Sequence, residues 1–194
     1  MNKIILDLCG GTGSWSKPYK ENGYDVRVIT LPDNDVRDYD PPKNVYGILS
    51  APPCDQFSFA KTTGEPRKLL SAWSIVRACL DIIAKCNTIE TPYAKKTTLN
   101  FWALENPNGL LKRFLGKPAY EFNPYDFGDG YKKKTYLWGW FKNPVKKPIE
   151  CNNVKFDRMK SKDIHSEYYG ILTRRERRAI TPKGFAQAFF RANR

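Results

Sequence analysis

Paired cysteines and histidines are what this sequence most clearly lacks. Its 194 residues include one histidine and five cysteines, and no two cysteines stand in a Cys-x-x-Cys spacing. A zinc site built from Cys and His ligands needs such a spacing, so we predict that the protein holds no metal. The odd number of cysteines, without a disulfide framework, indicates free thiols in a reducing compartment.

Long apolar runs are also missing. No stretch approaches the roughly 18 consecutive apolar residues that a membrane-spanning helix requires, and the chain turns acidic at Asp7, too soon for a signal peptide. We therefore predict no membrane contact and a cytoplasmic location. The hydrophobic content of 41% and aromatic content of 14% predict a folded chain, and the length predicts a single domain over residues 1–194.

The net charge of +13 is unevenly distributed. Residues 1–130 carry 16 Lys and Arg against 15 Asp and Glu, whereas residues 155–194 carry 11 against four. Between them lies the lysine run Lys132, Lys133 and Lys134. A neutral front and a cationic back predict a surface that binds a polyanion. A merely soluble basic surface is the alternative.

The chain opens with a strand, a glycine-rich turn and a helix. Ile4 to Leu8 is apolar, Cys9-Gly10-Gly11-Thr12-Gly13 follows, and Ser16 is a candidate N-cap. This unit is typical of a Rossmann-like α/β fold, in which glycines let a ligand approach the backbone. The turn is not Gly-x-Gly-x-x-Gly and lacks the Lys-Ser/Thr of a P-loop, which disfavours an NAD-dependent oxidoreductase and triphosphate binding.

Later segments continue the α/β pattern. Strands are predicted at residues 24–29, 101–104 and 136–140, and a helix from Pro66 to Asn87. That helix carries a stripe of Leu69, Trp73, Val76, Leu80 and Ile83. A capping box begins at Thr173, and Thr181 is expected to cap a last helix that buries Phe185, Ala186, Phe189 and Phe190.

Two polar residues are predicted at strand ends. The apolar run Val45–Leu49 leads into Ser50-Ala51-Pro52-Pro53-Cys54, where two prolines stop the strand because neither can donate to a ladder. The thiol would then lie at the carboxyl edge of the sheet, where ligands bind. Glu105 follows strand 101–104 in the same way. The alternatives are a buried structural cysteine and a turn-forming acid.

These motifs, in this order, resemble those of the cytosine-5 DNA methyltransferases. Asp7–Gly13 resembles their S-adenosylmethionine loop, and Asp35-Val36-Arg37-Asp38 their adenine-contacting acidic motif. Pro52-Pro53-Cys54 resembles the catalytic loop, and Glu105-Asn106 the catalytic pair. Tyr125–Gly128 with the lysine run is similar to the substrate-contact motif, and Ala179–Ala186 faintly to the closing helix. The similarity spans nearly the whole chain.

The resemblance implies a class I methyltransferase fold, a mostly parallel twisted sheet with helices on both faces, and S-adenosylmethionine as cofactor. It implies that Cys54 adds to C6 of cytosine, which turns C5 into the carbon that attacks the methyl group, while Glu105 hydrogen-bonds N3. The cytosine must be unstacked for this addition. The implied cofactor residues are Asp7, Cys9, Gly10, Gly11, Gly13, Trp15, Asp35, Val36 and Pro52. The implied substrate residues are Asn106, Lys132, Lys133, Lys134, Arg174, Arg175, Arg177 and Arg178.

The sequence also departs from the family. Asp55 stands where the family usually has Gln, and a carboxylate beside a thiol disfavours the thiolate. The contact motif is rich in lysine instead of arginine, and the closing motif lacks its Gly-Asn. About 40 residues separate Gly139 from the last helix, too few for a full target-recognition domain, which leaves a reduced basic substrate-contact segment at residues 140–178.

We therefore expect DNA cytosine-5 methylation, with nucleic acid, DNA first, as the partner. The same chemistry on RNA is an alternative, as is a nucleic-acid-binding module that has lost turnover. The reduced size indicates a phage or mobile-element origin, and so the cytoplasm of a bacterium or of a phage-infected host. The sequence contains no indication of target sequence or oligomeric state.

Overall fold

A computed structural model describes residues 2–61, 64–87, 99–155 and 167–194 of the chain. The strands of this part are β1 (Ile4–Leu8), β2 (Asp25–Ile29), β3 (Val45–Ser50), β4 (Phe101–Pro107), β5 (Tyr120–Phe122) and β6 (Thr135–Trp140). Its α-helices are α1 (Lys17–Glu21), α2 (Leu69–Asn87), α3 (Leu111–Leu115), α4 (Arg174–Ala179) and α5 (Lys183–Ala192). A 3-10 helix spans Pro124–Phe127.

The strands form one sheet in the order β2-β1-β3-β4-β6-β5. The first four strands are mutually parallel, and β6 runs antiparallel between β4 and β5. The predicted mixed α/β fold with a mostly parallel sheet is therefore confirmed. The sequence reading missed β5 and α3, which are only three and five residues long.

One face of the sheet packs against α1 and α5. Trp15, just before α1, and Tyr19 within it join an aromatic core with the buried side of α5. The predicted burial of Phe185, Ala186, Phe189 and Phe190 is confirmed. Full burial of such a side chain stabilises the fold by roughly 1.5–3 kcal/mol, so the last helix is a structural part of the domain.

The opposite face packs against α2. The buried residues of this helix are Ala72, Val76, Cys79, Ile82 and Ile83. Val76 and Ile83 belong to the predicted stripe, but Leu69, Trp73 and Leu80 are only half-buried. The predicted stripe was thus displaced: the small side chains of Ala72 and Cys79 lie against the sheet, and the larger ones flank the contact. The helix also begins at Leu69, after the predicted Pro66.

Strand β4 is longer than predicted. Glu105, Asn106 and Pro107 continue it, because the antiparallel β6 pairs with all three. Strand β3 ends at Ser50, opposite Leu104. Pro107 therefore needs no ladder hydrogen bond on that side, which is where proline is tolerated.

The predicted helix caps had different outcomes. Thr173 forms a full capping box with Glu176, whose carboxylate accepts from the Thr173 backbone N–H at 2.7 Å. Thr181 makes no side-chain cap on α5; its backbone N–H donates to Ser14 Oγ at 3.0 Å. Ser16 does not cap α1 either. Among the described residues, no helix is both long and apolar enough to span a membrane.

The pairing of β4 and β6 yields a stability prediction. Gly139 has φ +142°, and a Cβ there would lie 2.2 Å from the carbonyl oxygen of Trp102. We expect Gly139→Ala to lower the free energy of unfolding by about 3 kcal/mol or more. Gly23→Ala is the control, because Gly23 has φ +82° with nothing within 4 Å of a Cβ. It should lower the free energy of unfolding by only about 1–2 kcal/mol. An equal loss for both variants in urea unfolding would contradict the prediction.

Candidate active site

Strands β1 and β3 end at the same level of the sheet. Leu8 of β1 is in register with Ser50 of β3, and Ser50 with Leu104 of β4. The chain therefore leaves the sheet after Leu8 and after Ser50 at one edge, and β4 continues there through Glu105 to Pro107, paired with β6. This edge carries the glycine-rich turn, the Pro-Pro-Cys loop and Glu105. The antiparallel β6 begins there as well, opposite Pro107.

The glycine-rich turn is built around the buried carboxyl group of Asp7. One oxygen, Oδ2, accepts a 2.5 Å hydrogen bond from Ser16 Oγ, which explains why Ser16 does not cap α1. A Cβ on Gly10 would lie 2.5 Å from the carboxyl carbon of Asp7, so only glycine fits there. Burial raises the pKa of Asp7 to about 6, because desolvation penalises its charged form.

The loop that carries Cys54 is fixed at both ends. Asn106, fully buried in β4, donates from Nδ2 to the carbonyl of Pro52 at 3.0 Å. The carbonyl of Cys54 accepts from the backbone N–H groups of Phe57 and Ser58, at 3.0 and 2.7 Å. The Phe57 ring is completely buried. The thiol is therefore presented on a defined turn between two buried anchors.

Opposing effects act on the Cys54 thiol and on Glu105. Burial raises the pKa of both groups. The positive charge of Lys133 lowers both, whereas Glu105 and Asp55 raise that of Cys54 further. Lys133 thus favours the thiolate, and burial of Glu105 favours a neutral carboxylic acid that can donate a hydrogen bond.

These groups share one cavity of about 300 Å³. Its floor consists of Asp7, Trp15, the turn Cys9–Thr12 and the loop Ala51–Cys54. Glu105, Pro107 and Lys133 line the end nearest Cys54. Leu172, Glu176 and Ala179–Thr181 cover it from the carboxyl-terminal part of the chain. A volume of this size lies at the lower end of the range for small-molecule sites.

Two buried polar atoms on the cavity wall have no hydrogen-bond partner. They are Asp7 Oδ1 and Trp15 Nε1, on residues that are 0% and 2% exposed. An unpaired buried acceptor and donor each cost free energy. A ligand with both a cationic and an anionic group would satisfy them.

The predicted cofactor residues divide into two groups. Asp7, Cys9, Gly10, Gly11, Trp15 and Pro52 line the cavity; Gly13, Asp35 and Val36 do not. Asp35 is ion-paired with Arg37, which lowers its pKa to about 2, and Val36 lies in the core. Thr30 and Leu31, which directly follow β2, line the cavity instead. The rule that ligands bind at strand ends could have identified them from the sequence.

The three lysines of the run, Lys132, Lys133 and Lys134, have different contacts. Lys132 Nζ contacts the side-chain oxygen of Asn153, and Lys134 forms a 3.0 Å ion pair with Glu121. Lys133 alone of the three lines the cavity. Of the predicted substrate-contact lysines, the structure therefore brings Lys133 next to the candidate catalytic pair.

Helix α4 forms a roof over the cavity. Arg175 pairs with Asp55 at 3.1 Å, and Lys133 Nζ donates to the carbonyl oxygen of Arg178 at 2.9 Å. Arg177 stacks on Tyr169, 5.2 Å from the ring centroid. The arginine-rich helix and the lysine run thus meet beside Cys54. Part of the predicted contact segment 140–178, residues 156–166, lies outside the described residues.

The cysteines occupy different environments. Cys79 is buried on α2 with its Sγ 4.0 Å from that of Cys9, and both lie in or against one hydrophobic cluster. In the described ranges of the chain, no three His, Cys, Asp or Glu side chains are grouped so that they could hold a metal ion.

No protein-family model and no curated protein matches the chain. Solved structures similar to it include the methyltransferase EhMeth of Entamoeba histolytica, with 13% identity and a TM-score of 0.40, covering 80% of this chain and 57% of that one. The Dnmt2 methyltransferase of S. pombe has 11% identity and a TM-score of 0.41, covering 72% of this chain and 49% of that one. A mutant DNMT2 of Spodoptera frugiperda has 16% identity and a TM-score of 0.41, covering 79% of this chain and 57% of that one. The chain spans about half the length of these proteins.

The raised pKa of Asp7 yields a pH-dependent stability prediction. A carboxyl group whose pKa is raised on folding, from 3.8 to about 6, binds an extra proton in the folded state between those values. Stability is therefore lost as the pH rises through that window. Asp7→Asn keeps an acceptor for Ser16 and does not titrate. Relative to wild type, the free energy of unfolding of this variant should therefore rise by about 2.4 kcal/mol between pH 4 and pH 7.

The measurement is urea unfolding of both proteins across that pH range, without ligand. The control is Asp25→Asn, because the Asp25 carboxylate is exposed and pairs with Arg27 on the surface. A difference between Asp7→Asn and wild type that stays constant with pH would contradict the prediction.

Proposed function

We propose that the protein is an S-adenosylmethionine-dependent methyltransferase that transfers a methyl group to C5 of cytosine in DNA. One observation carries the proposal: the glycine-rich turn, Cys54, Glu105 and Lys133 line a single cavity. A cofactor on the turn and a base beside the thiol would therefore be neighbours, which a transfer between them requires.

The residues of the cavity fit the cofactor. The unpaired Asp7 Oδ1 and Trp15 Nε1 match the ammonium and carboxylate groups of its methionine part. Gly11 leaves the backbone of the turn accessible, since nothing lies within 4 Å of a Cβ on it. Thr30 and Leu31 would contact the adenosine part. When bound, S-adenosylmethionine supplies the methyl group as an electrophile.

The chemistry of the chain's own residues follows from their electrostatics. The Cys54 thiolate adds to C6 of the base, which makes C5 nucleophilic. Burial raises the pKa of Cys54, and the positive charge of Lys133 opposes that rise and favours the thiolate. Glu105, whose pKa is raised by burial, donates a hydrogen bond from its carboxylic acid form to N3 and stabilises the adduct. Once C5 carries the methyl group, a base takes the C5 proton and the C6–S bond breaks, which returns Cys54 as the thiolate.

Asp55 motivates the alternative of an inactive binding module, and its contacts argue against that alternative. Its carboxylate accepts a 2.7 Å hydrogen bond from Gln56 Nε2 and pairs with Arg175 at 3.1 Å. A partnered carboxylate opposes a neighbouring thiolate less than a free one does. The contacts of Asp55 therefore support the proposed turnover over the binding-module alternative.

Cys54→Ser tests the covalent mechanism. We expect loss of methyl transfer by at least a thousandfold, because a hydroxyl is a far weaker nucleophile than a thiolate. Cofactor affinity should stay within about twofold. The measurements are radiolabel transfer from S-adenosylmethionine to cytosine-containing DNA and calorimetric binding of the cofactor.

Cys86→Ser is the matched control, since Cys86 lies on α2 away from the cavity wall. Undiminished transfer by Cys54→Ser would exclude the mechanism. Transfer to structured RNA but not to DNA would favour the RNA alternative, and wild-type binding without any transfer would favour the binding module.

The basic residues beside the cavity yield a prediction about salt. We propose that the lysine run and α4 contact the phosphate backbone. Each contact releases condensed counterions, with a slope of roughly −0.9 in log K against log salt on duplex DNA. Changing Lys132, Lys133 and Lys134 to Ala should therefore reduce the slope by about 0.9 for each lost contact.

The measurement is a salt titration of binding to a random duplex. Lys85→Ala is the control, because Lys85 pairs with Asp40 at the end of α2. An unchanged slope in the triple variant would show that the run is only a solvated surface. With so short a contact segment, specific and random duplexes should differ by less than the roughly thousandfold of dedicated readers.

A further inference from the structure

The loop that follows Cys54 is held by one guanidinium group. Residues 54–61 contain no helix or regular strand, yet Arg67 binds three of their backbone carbonyls. Its Nη1 donates to Gln56 O at 2.6 Å, and its Nη2 donates to Ser58 O at 3.0 Å and to Lys61 O at 2.9 Å. The loop is thereby folded around a single side chain that comes from the entrance of α2.

The side chain of Gln56 adds a second connection to the same entrance. Its Oε1 accepts from the backbone N–H of Lys68 at 2.9 Å and from Lys61 Nζ at 3.1 Å. Its Nε2 donates to Asp55, which in turn pairs with Arg175 on the roof. The start of α2, the cysteine loop and α4 therefore form one continuous polar network.

Arginine is the residue type that this arrangement requires. A guanidinium group presents five donors in a rigid planar fork, whereas an ammonium group is a single point with three rotating donors. Hydrogen bonds from a charged donor are about twice as strong as neutral ones. Three carbonyls spread over six residues can be gathered by a fork, but not by a lysine in one rotamer.

We propose that Arg67 is the positioning residue of the candidate nucleophile: its guanidinium group holds the loop in the conformation that buries the Cys54 thiol and directs it into the cavity. The part of this proposal that concerns turnover rests on the proposed function. The part that concerns the thiol does not, because thiol reactivity can be measured without any substrate.

The test compares two readouts that should move in opposite directions. In Arg67→Ala the loop loosens and water reaches the thiol, so the pKa of Cys54, now raised by burial, should fall. Alkylation of Cys54 by iodoacetamide should become at least fivefold faster at pH 7.5. Methyl transfer should fall about a hundredfold, as misplacement by about 1 Å can cost, through kcat and with cofactor affinity unchanged.

Mass spectrometry of the alkylated peptides supplies an internal reference, because Cys151 lies outside the loop. Arg67→Lys should fall between wild type and Arg67→Ala, and it serves the same test if the alanine variant does not fold. Arg77→Ala is the matched control, since Arg77 is exposed on α2 and pairs with Asp81 one turn further along that helix; it should leave both readouts unchanged.

Unchanged alkylation of Cys54 in both Arg67 variants would overturn the proposal, as would a parallel acceleration at Cys151, which indicates general unfolding. If wild-type protein transfers no methyl group while Arg67→Ala still accelerates alkylation of Cys54 alone, the proposed function fails and the role of Arg67 stands. The two ideas are therefore separable.

Discussion

The site depends on the register of three parallel strands. Because Leu8, Ser50 and Leu104 are in register at one level, the glycine-rich turn, the Pro-Pro-Cys loop and the part of β4 that carries Glu105 all begin at one edge. The antiparallel β6 begins at the same edge, so Lys133, which lies two residues before this strand, is at that edge as well. A shift of one residue in any strand would turn its side chains to the other face of the sheet. The aromatic core around α1 and α5, and the aliphatic core under α2, hold this register from both faces.

Burial and charge have opposite effects on the two candidate catalytic groups. Burial raises the pKa of both Cys54 and Glu105 and so favours the neutral form of each. Neutrality suits an acid that donates a hydrogen bond, but not a nucleophile. Among the described residues that line the cavity, Lys133 is the one cation. Its charge, at the entrance of β6, lowers the pKa of both groups, which favours the thiolate of Cys54 against the effect of burial.

The sequence predicts the parts of the site that depend on local pattern. The Pro-Pro-Cys loop is visible because prolines end an apolar run, and the glycine turn because only glycine fits beside Asp7. The sequence does not distinguish Lys133 from Lys132 and Lys134. Its position depends on the pairing of β6 with β4 and on its hydrogen bond to Arg178 in α4. Asp35 belongs to a segment that resembles the adenine-contacting acidic motif, but its carboxylate forms an ion pair with Arg37, two residues away. No sequence pattern identifies Arg67, because its three partners are backbone carbonyls that only folding brings together.

The roof is the part of the site that costs least to move. Helix α4 buries no side chain, and its pair between Arg175 and Asp55 is largely exposed, so that pair contributes at most about 1 kcal/mol. The floor, by contrast, is fixed by fully buried Asp7, Asn106 and Phe57. A cavity of about 300 Å³ is small for a nucleoside cofactor together with an unstacked base. Room for both would therefore have to come from movement of α4, which contacts Asp55 and Lys133 through polar groups, and not from the buried floor.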